Sequence, residues 1–214
     1  MSTVAIVDYG SGNLRSAAKA FERVVAERGS GEQVLVTAKA EDVAKADRIV
    51  LPGVGAFADC RAGVLALDGM MQALEDGVRR KGRPFLGICV GMQLMATIGR
   101  ENGEHVGFGW IAGAVEKLRP ADPALKIPHI GWNRLDIARP HALFAGLGER
   151  PFAYFVHSYA IAGVAESETA ATSDHGGRFT AAVARDNLFG TQFHPEKSQA
   201  FGLGLIGNFL AWSP

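Results

Sequence analysis

Short apolar runs alternate with amphipathic stretches through the first half of the chain. Residues 3–8, TVAIVD, form a β-rich run that ends at an acid, and the YGSGN that follows is turn-forming. In LRSAAKAFERVVAERG, Leu14, Ala17, Ala18, Phe21, Val24 and Val25 share one helical face, and Gly29 is a natural stop. QVLVT, RIVLPGVGAF and RPFLGI read as further strands, the second closing on a Pro-Gly loop. Between them, CRAGVLALDGMMQALEDGVRRKG reads as helical with glycine interruptions, and VGMQLMATIG as the start of another helix. Strands alternating with helices predict βαβ units and a mostly parallel, doubly wound sheet, an α/β fold.

The second half carries a different pattern. GWIAGAVEKL, IPHIGWNRLDI, FAYFVHSYAI, RFTAAVARDN and LFGTQFH are strand-like runs with few helices between them, so an antiparallel portion is expected there. Phe201, Leu205, Ile206, Phe209 and Leu210 suit a closing amphipathic helix, although its glycines weaken it. Neither a repeat nor a linker interrupts the pattern, and residues 1–214 are expected to form a single domain.

Charge and composition narrow the function. Lys plus Arg and Asp plus Glu each number 22, so no basic stripe favours nucleic acid. No apolar run suggests a membrane span, and the N-terminus lacks the pattern of a signal peptide. The two cysteines, Cys60 and Cys89, stand in different surroundings and suggest no disulfide framework. A soluble, cytoplasmic protein without cofactor or metal is the expectation.

Two segments compete for the chemistry. DYGSGNL stands where a dinucleotide-binding loop would, but Arg15 replaces the third glycine of the fingerprint. A tight turn, with Ser11 or Asn13 capping the helix, is the plainer reading. GICVGMQ has the form G-x-C-x-G, the thiol version of a nucleophile elbow. A sharp strand-to-helix turn there would expose the Cys89 thiol at the sheet's carboxyl edge. The positive end of the helix beginning at Val90 would favour thiolate, and the Val90 N–H could serve as an oxyanion donor.

A base is available in GTQFHPEKS. His194 ends a strand, and Glu196 lies on the same side of an extended chain, where it can orient the imidazole. His105 and His175 read as solvated, His141 as lying near a strand start, and Cys60 as packing. The loop Gly53–Val54–Gly55 ends the third strand and could share the crevice, with a backbone N–H as second oxyanion donor.

GICVGMQ, PGVGAF and FHPEKS together resemble the triad-type (class I) glutamine amidotransferases, along the length of the chain. DYGSGNL, PHIGWN and FVHSY point to members that pass ammonia to another enzyme. The resemblance implies that Cys89 attacks the glutamine side-chain amide, with His194 as base and Glu196 as its orienter. It implies substrate contacts from Gln93, Ser158 and Tyr159. Members often carry an acid shortly after the GMQ turn, where this chain has Ala96 and Thr97, so another group would have to meet the substrate's amino end. A (β/α)8-barrel cyclase is the implied partner, in a heterodimer docked through His129, Trp132, Asn133, Tyr154 and Lys197. The chain ends soon after its triad, which leaves the ammonia-using step to that partner. A stand-alone Cys-His-Glu hydrolase of γ-glutamyl compounds, or a non-catalytic phosphate-binding module using GSGN, are the alternatives.

Overall fold

The computed structural model describes residues 2–214. Its main sheet is built from β1 (Thr3–Val7), β2 (Gln33–Thr37), β3 (Arg48–Gly53) and β4 (Phe85–Cys89), all parallel. The chain then leaves this sheet for β5 (Ala96–Gly99), β6 (His105–Val106) and β7 (Ile111–Lys117). It continues through β8 (His129–Arg134), β9 (Asp136–Ile137), β10 (Phe152–His157) and β11 (Tyr159–Ala162). It returns with β12 (Thr169–Asp174), β13 (Arg178–Arg185) and β14 (Leu188–Thr191). The final order of the eight-stranded sheet is β2-β1-β3-β4-β14-β13-β12-β9. Two smaller sheets stand beside it, β11-β7-β5-β6 and the hairpin-like pair β10-β8.

The helices are α1 (Leu14–Arg28), α2 (Ala40–Lys45), α3 (Phe57–Ala66), α4 (Met70–Leu74), α5 (Val90–Gln93) and α6 (Gln199–Ala211). β2 and β3 lie on opposite sides of β1, so right-handed crossovers send α1 and α2 to opposite faces. The closing helix α6 packs on α1, with Phe21 and Phe209 edge to face at 6.1 Å between ring centres. The central strands are apolar on both faces, and all five residues of β4 are buried.

The βα alternation, the antiparallel second half and the closing helix match the pattern of the sequence. Two local expectations do not. The helix expected over VGMQLMATIG is a single turn: α5 ends at Gln93 and the chain is extended again from Ala96. Thr97 and Ile98 thus take their place in a sheet, which their β-branched side chains favour. The helical stretch between β3 and β4 is interrupted at a glycine, as its sequence predicts: it breaks after Ala66 and resumes at Met70, with Gly69 left-handed at the joint. Asn13 occupies the N-cap position of α1 with a φ of 77° and makes no side-chain cap bond. Ser11 Oγ is buried without a partner, and the turn is tied instead by Asp8, whose carboxylate accepts the Gly10 N–H at 3.1 Å.

One pairing sets up everything that follows. β14 arrives by antiparallel hairpin pairing with β13, then lies parallel to β4, with Thr191 opposite Ile88. β3 flanks β4 on the other side, with Gly53 opposite Cys89. The carboxyl ends of β3, β4 and β14 therefore open on one crevice.

Candidate active site

Cys89 is the last residue of β4 and stands at φ 55°, ψ −110°. An L-residue reaches that conformation only under constraint, at a cost on the order of 1–3 kcal/mol. The constraint is backbone packing. A Cβ on Gly91 would lie 1.8 Å from the Leu51 carbonyl oxygen, and one on Gly87 would lie 2.7 Å from the Gly91 oxygen. The chain can fold back on β3 only because both flanking residues are glycine. Gly53 is equally confined: its Cβ would meet the Gly91 nitrogen at 2.8 Å and the Tyr9 hydroxyl at 2.6 Å.

His194 and Glu196 follow β14 into the same crevice. His194 Nδ1 and Glu196 Oε1 are 2.7 Å apart, with both side chains buried. A carboxylate only accepts, so Nδ1 carries the proton of this bond and Nε2 is turned toward Cys89. The backbone of His194 is held from two sides: its N–H donates to the Tyr154 carbonyl at 2.9 Å, and its carbonyl accepts from Ser198 Oγ at 2.7 Å. The Asn13 side-chain amide donates to Glu196 Oε1, which explains why Asn13 does not cap its helix. Burial opposes a charge on His194. The facing Cys89 sulfur and then Glu196 outweigh it and raise the imidazole to about 10.

Beside Cys89 lies a cavity of about 240 Å³. Val54, Gly55, Val90, Gln93, Glu101, Ser158 and Tyr159 line it. Gln93 spends both amide protons, on the Tyr159 carbonyl at 2.9 Å and on Gln192 Oε1 at 3.0 Å. Its own carbonyl oxygen is left to accept from a bound molecule. Gln192 Nε2 lies 3.7 Å from Cys89 Sγ. Larger clefts exist elsewhere, one of about 630 Å³ along β7, β11 and β13, but the thiol opens only into the small one.

A strained thiol faced by a carboxylate-held imidazole, beside a small cavity, is equipped for acyl transfer through a thioester. The family model for class-I glutamine amidotransferases matches residues 5–211. The chain belongs to the class-I glutamine amidotransferases. It is 60% identical to "Imidazole glycerol phosphate synthase subunit HisH" of Mesorhizobium japonicum and 59% identical to the protein of that name in Rhizobium meliloti. Both matches cover 99% of this chain and 99% of the relative. Among solved structures, a glutamine amidotransferase is similar with a TM-score of 0.69 at 17% identity, over 93% of this chain and 94% of that one. Another, from Thermotoga maritima, has a TM-score of 0.63 at 16% identity, over 91% and 76%. These two bear on the fold.

Three further residues stand at the site without an expected role there. Glu101 is an acid after the GMQ turn that lines the cavity beside Cys89. It arrives from the loop after β5, twelve residues beyond the thiol, and accepts the Phe57 N–H at 2.8 Å. Asn13, which the sequence predicts as a cap, holds Glu196 instead. Gln192 precedes His194 by two and so shares its side of the extended chain, a signal the sequence did carry. Conversely, His129 is buried, and Asn133 is half-buried and bonded inward, so neither forms the outer surface expected of them. Trp132 is exposed, its ring 5.8 Å from that of Tyr154, and Lys197 Nζ lies 5.9 Å over the Tyr154 ring. His175 is stacked rather than solvated, half-buried His105 has an unpartnered Nε2, and His141 caps a short 3-10 turn. Cys60 packs as expected, its sulfur also 3.5 Å from the Val54 carbonyl.

Two outcomes follow. Glycine tolerates the Cys89 backbone and alanine does not, so Cys89→Gly is expected to be more stable than Cys89→Ala by about 1 kcal/mol in denaturant unfolding, after allowing for glycine's greater unfolded-state entropy. In kcat/KM against pH, the imidazolium raised to about 10 persists through neutrality and is lost only on the alkaline side. Glu196 favours that charge, so Glu196→Gln is expected to move the alkaline limb to lower pH.

Proposed function

We propose that this chain is the glutaminase subunit of imidazole glycerol phosphate synthase, acting as one domain over residues 1–214. It hydrolyses glutamine to glutamate and passes the ammonia to a (β/α)8-barrel cyclase subunit. That partner makes imidazole glycerol phosphate and AICAR from a phosphoribulosyl-formimino intermediate in histidine biosynthesis. The full-length similarity to HisH proteins supports the assignment of partner and pathway. The observation that carries the chemistry is the β4–β14 pairing, which brings Cys89 beside His194 and Glu196.

In this reading the Cys89 sulfur attacks the side-chain carbonyl carbon of glutamine. The oxyanion is received by the Val90 N–H and by a backbone N–H of the Gly53–Val54–Gly55 loop, where Gly55 has a φ of 111°. His194 hands its proton to the departing amine, and ammonia leaves a glutamyl thioester. Water then gives a proton to His194 and its oxygen to the thioester carbonyl, and glutamate is released with the thiol restored. Gln93, Ser158 and Tyr159 hold the amino-acid end, and the Glu101 carboxylate suits its ammonium group. Trp132, Tyr154 and Lys197 line the docking face, extended by exposed Ile130 and Phe152. The cytoplasm is the proposed location, for which the two unpaired cysteines speak.

The test is glutamate release by the full chain, alone and with the cyclase and its ligand. Release is expected to rise strongly in the complex and to fall by several orders of magnitude in Cys89→Ala. Equal activity with and without the partner would favour the stand-alone hydrolase, and unchanged activity in Cys89→Ala would overturn the mechanism.

A further inference from the structure

Beneath β8 and β10 lies a buried group of rings that the chemistry above does not use. His129 and His157 face each other across the pair, with Nδ1 of the first 2.9 Å from Nε2 of the second. His129 is sandwiched between Phe155, at 4.9 Å between ring centres, and His175, at 4.1 Å. Both imidazoles are almost fully buried, and His157 also lines the cavity beside Cys89.

The hydrogen bonds determine where each proton sits. His157 Nδ1 is 3.0 Å from the Tyr159 carbonyl, which can only accept, so Nδ1 carries the proton. In a neutral ring Nε2 is then an acceptor, and the proton between the two rings belongs to His129 Nδ1. His129 Nε2 must in turn accept, and Asn133 Nδ2, at 3.2 Å, can only donate. The Asn133 amide is oriented independently, because its Nδ2 donates to the Asp174 carbonyl at 2.7 Å and its Oδ1 accepts from the Arg134 N–H at 2.8 Å. Both ends therefore require the same direction of donation. The chain runs from Asn133 through His129 and His157 to the Tyr159 carbonyl. That carbonyl is also the acceptor that fixes the Gln93 amide.

We propose that His129 and His157 are positioning residues of the glutamine site, locked as neutral Nδ1–H tautomers so that the Tyr159 carbonyl, and with it Gln93, is held in place for substrate. The proposal rests on the glutaminase reading for its substrate, and on geometry alone for its tautomers. Protonation of either ring would turn an acceptor into a donor and break the chain. The titratable groups around the pair oppose such protonation. Burial comes first and holds His129 down to about 3, with His157 and His175 adding to it. His157 is held down to about 4 by burial, with His175 and His194 adding and the Tyr159 carbonyl opposing.

The test has two arms. Long-range proton–nitrogen NMR on the full chain with labelled histidine is expected to show both rings protonated at Nδ1, bare at Nε2 and unchanged from about pH 5.5 to 8. Protonation at Nε2, or titration of either ring within that range, would overturn the proposal. This arm uses the unaltered chain, so it decides the tautomers whether or not variants fold and whether or not glutamine is the substrate. In the complex with the cyclase, His157→Phe removes the donor to Tyr159 and is expected to raise KM for glutamine about tenfold, with kcat within about threefold. His157→Asn, whose amide can replace the Nδ1 donor, is expected to restore KM to within about threefold of the unaltered protein. An unchanged KM in His157→Phe, or a loss of kcat that asparagine does not rescue, would contradict a positioning role. A wild-type complex that released no glutamate would instead remove the glutaminase reading and leave the tautomer result standing.

Discussion

The site depends on one backbone contact: the turn after β4 lies against the carbonyl of Leu51 in β3, with no room for a side chain between them. Gly91 makes that approach possible, and Gly87 lets the strand pass beneath the turn. The contact fixes the direction in which the chain leaves β4, and that direction forces Cys89 into a positive φ. The strain is local, while the restraint comes from strands buried on both faces. A rigid parallel sheet can hold such a residue because moving the turn would separate strands whose hydrogen bonds and apolar packing are already made.

Electrostatics completes what the backbone begins. A buried imidazole is ordinarily pushed toward neutrality, as His129 and His157 are. His194 is buried even more deeply and goes the other way, because a sulfur faces one ring nitrogen and a carboxylate the other. The carboxylate is itself held by Asn13 from the first βα turn, so the first and last parallel-sheet crossings meet at Glu196. The same residue type thus serves two ends within one molecule. Histidines that contact only neutral donors and acceptors become fixed struts, and the one placed between two acidic groups keeps a mobile proton.

Much of this was legible in the sequence, where short-range rules applied. The elbow, the histidine with its carboxylate two residues on, and the glycine loop after β3 are each local, and each lies where its pattern pointed. What escaped depended on distant neighbours. Asn13 has the composition of a cap, but Glu196, 183 residues away, competes for its amide and wins. Glu101 stands beyond a strand that the sequence pattern had written as helix, so its return to the cavity was hidden. His129 sits in a segment with an exposed tryptophan, and strand alternation alone puts the histidine on the inner face. His175 looked like a loop residue and is held by stacking on His129 and by the Lys126 carbonyl.

Tyr154 of β10 and His194 are also mechanically joined, since the Tyr154 carbonyl accepts the His194 N–H and the Tyr154 N–H is received by Ser198. On the proposed docking face, pressure on Tyr154 would reach His194 through a single hydrogen bond. All of this has a purpose only if Cys89 carries the acyl group during turnover. The direct measurement is the intact mass and peptide map of the chain, in complex with the cyclase, quenched in acid while hydrolysing glutamine. The account predicts a glutamyl adduct on the peptide containing Cys89. An unmodified Cys89 under conditions where the thioester should accumulate, or an adduct on another residue, would contradict it.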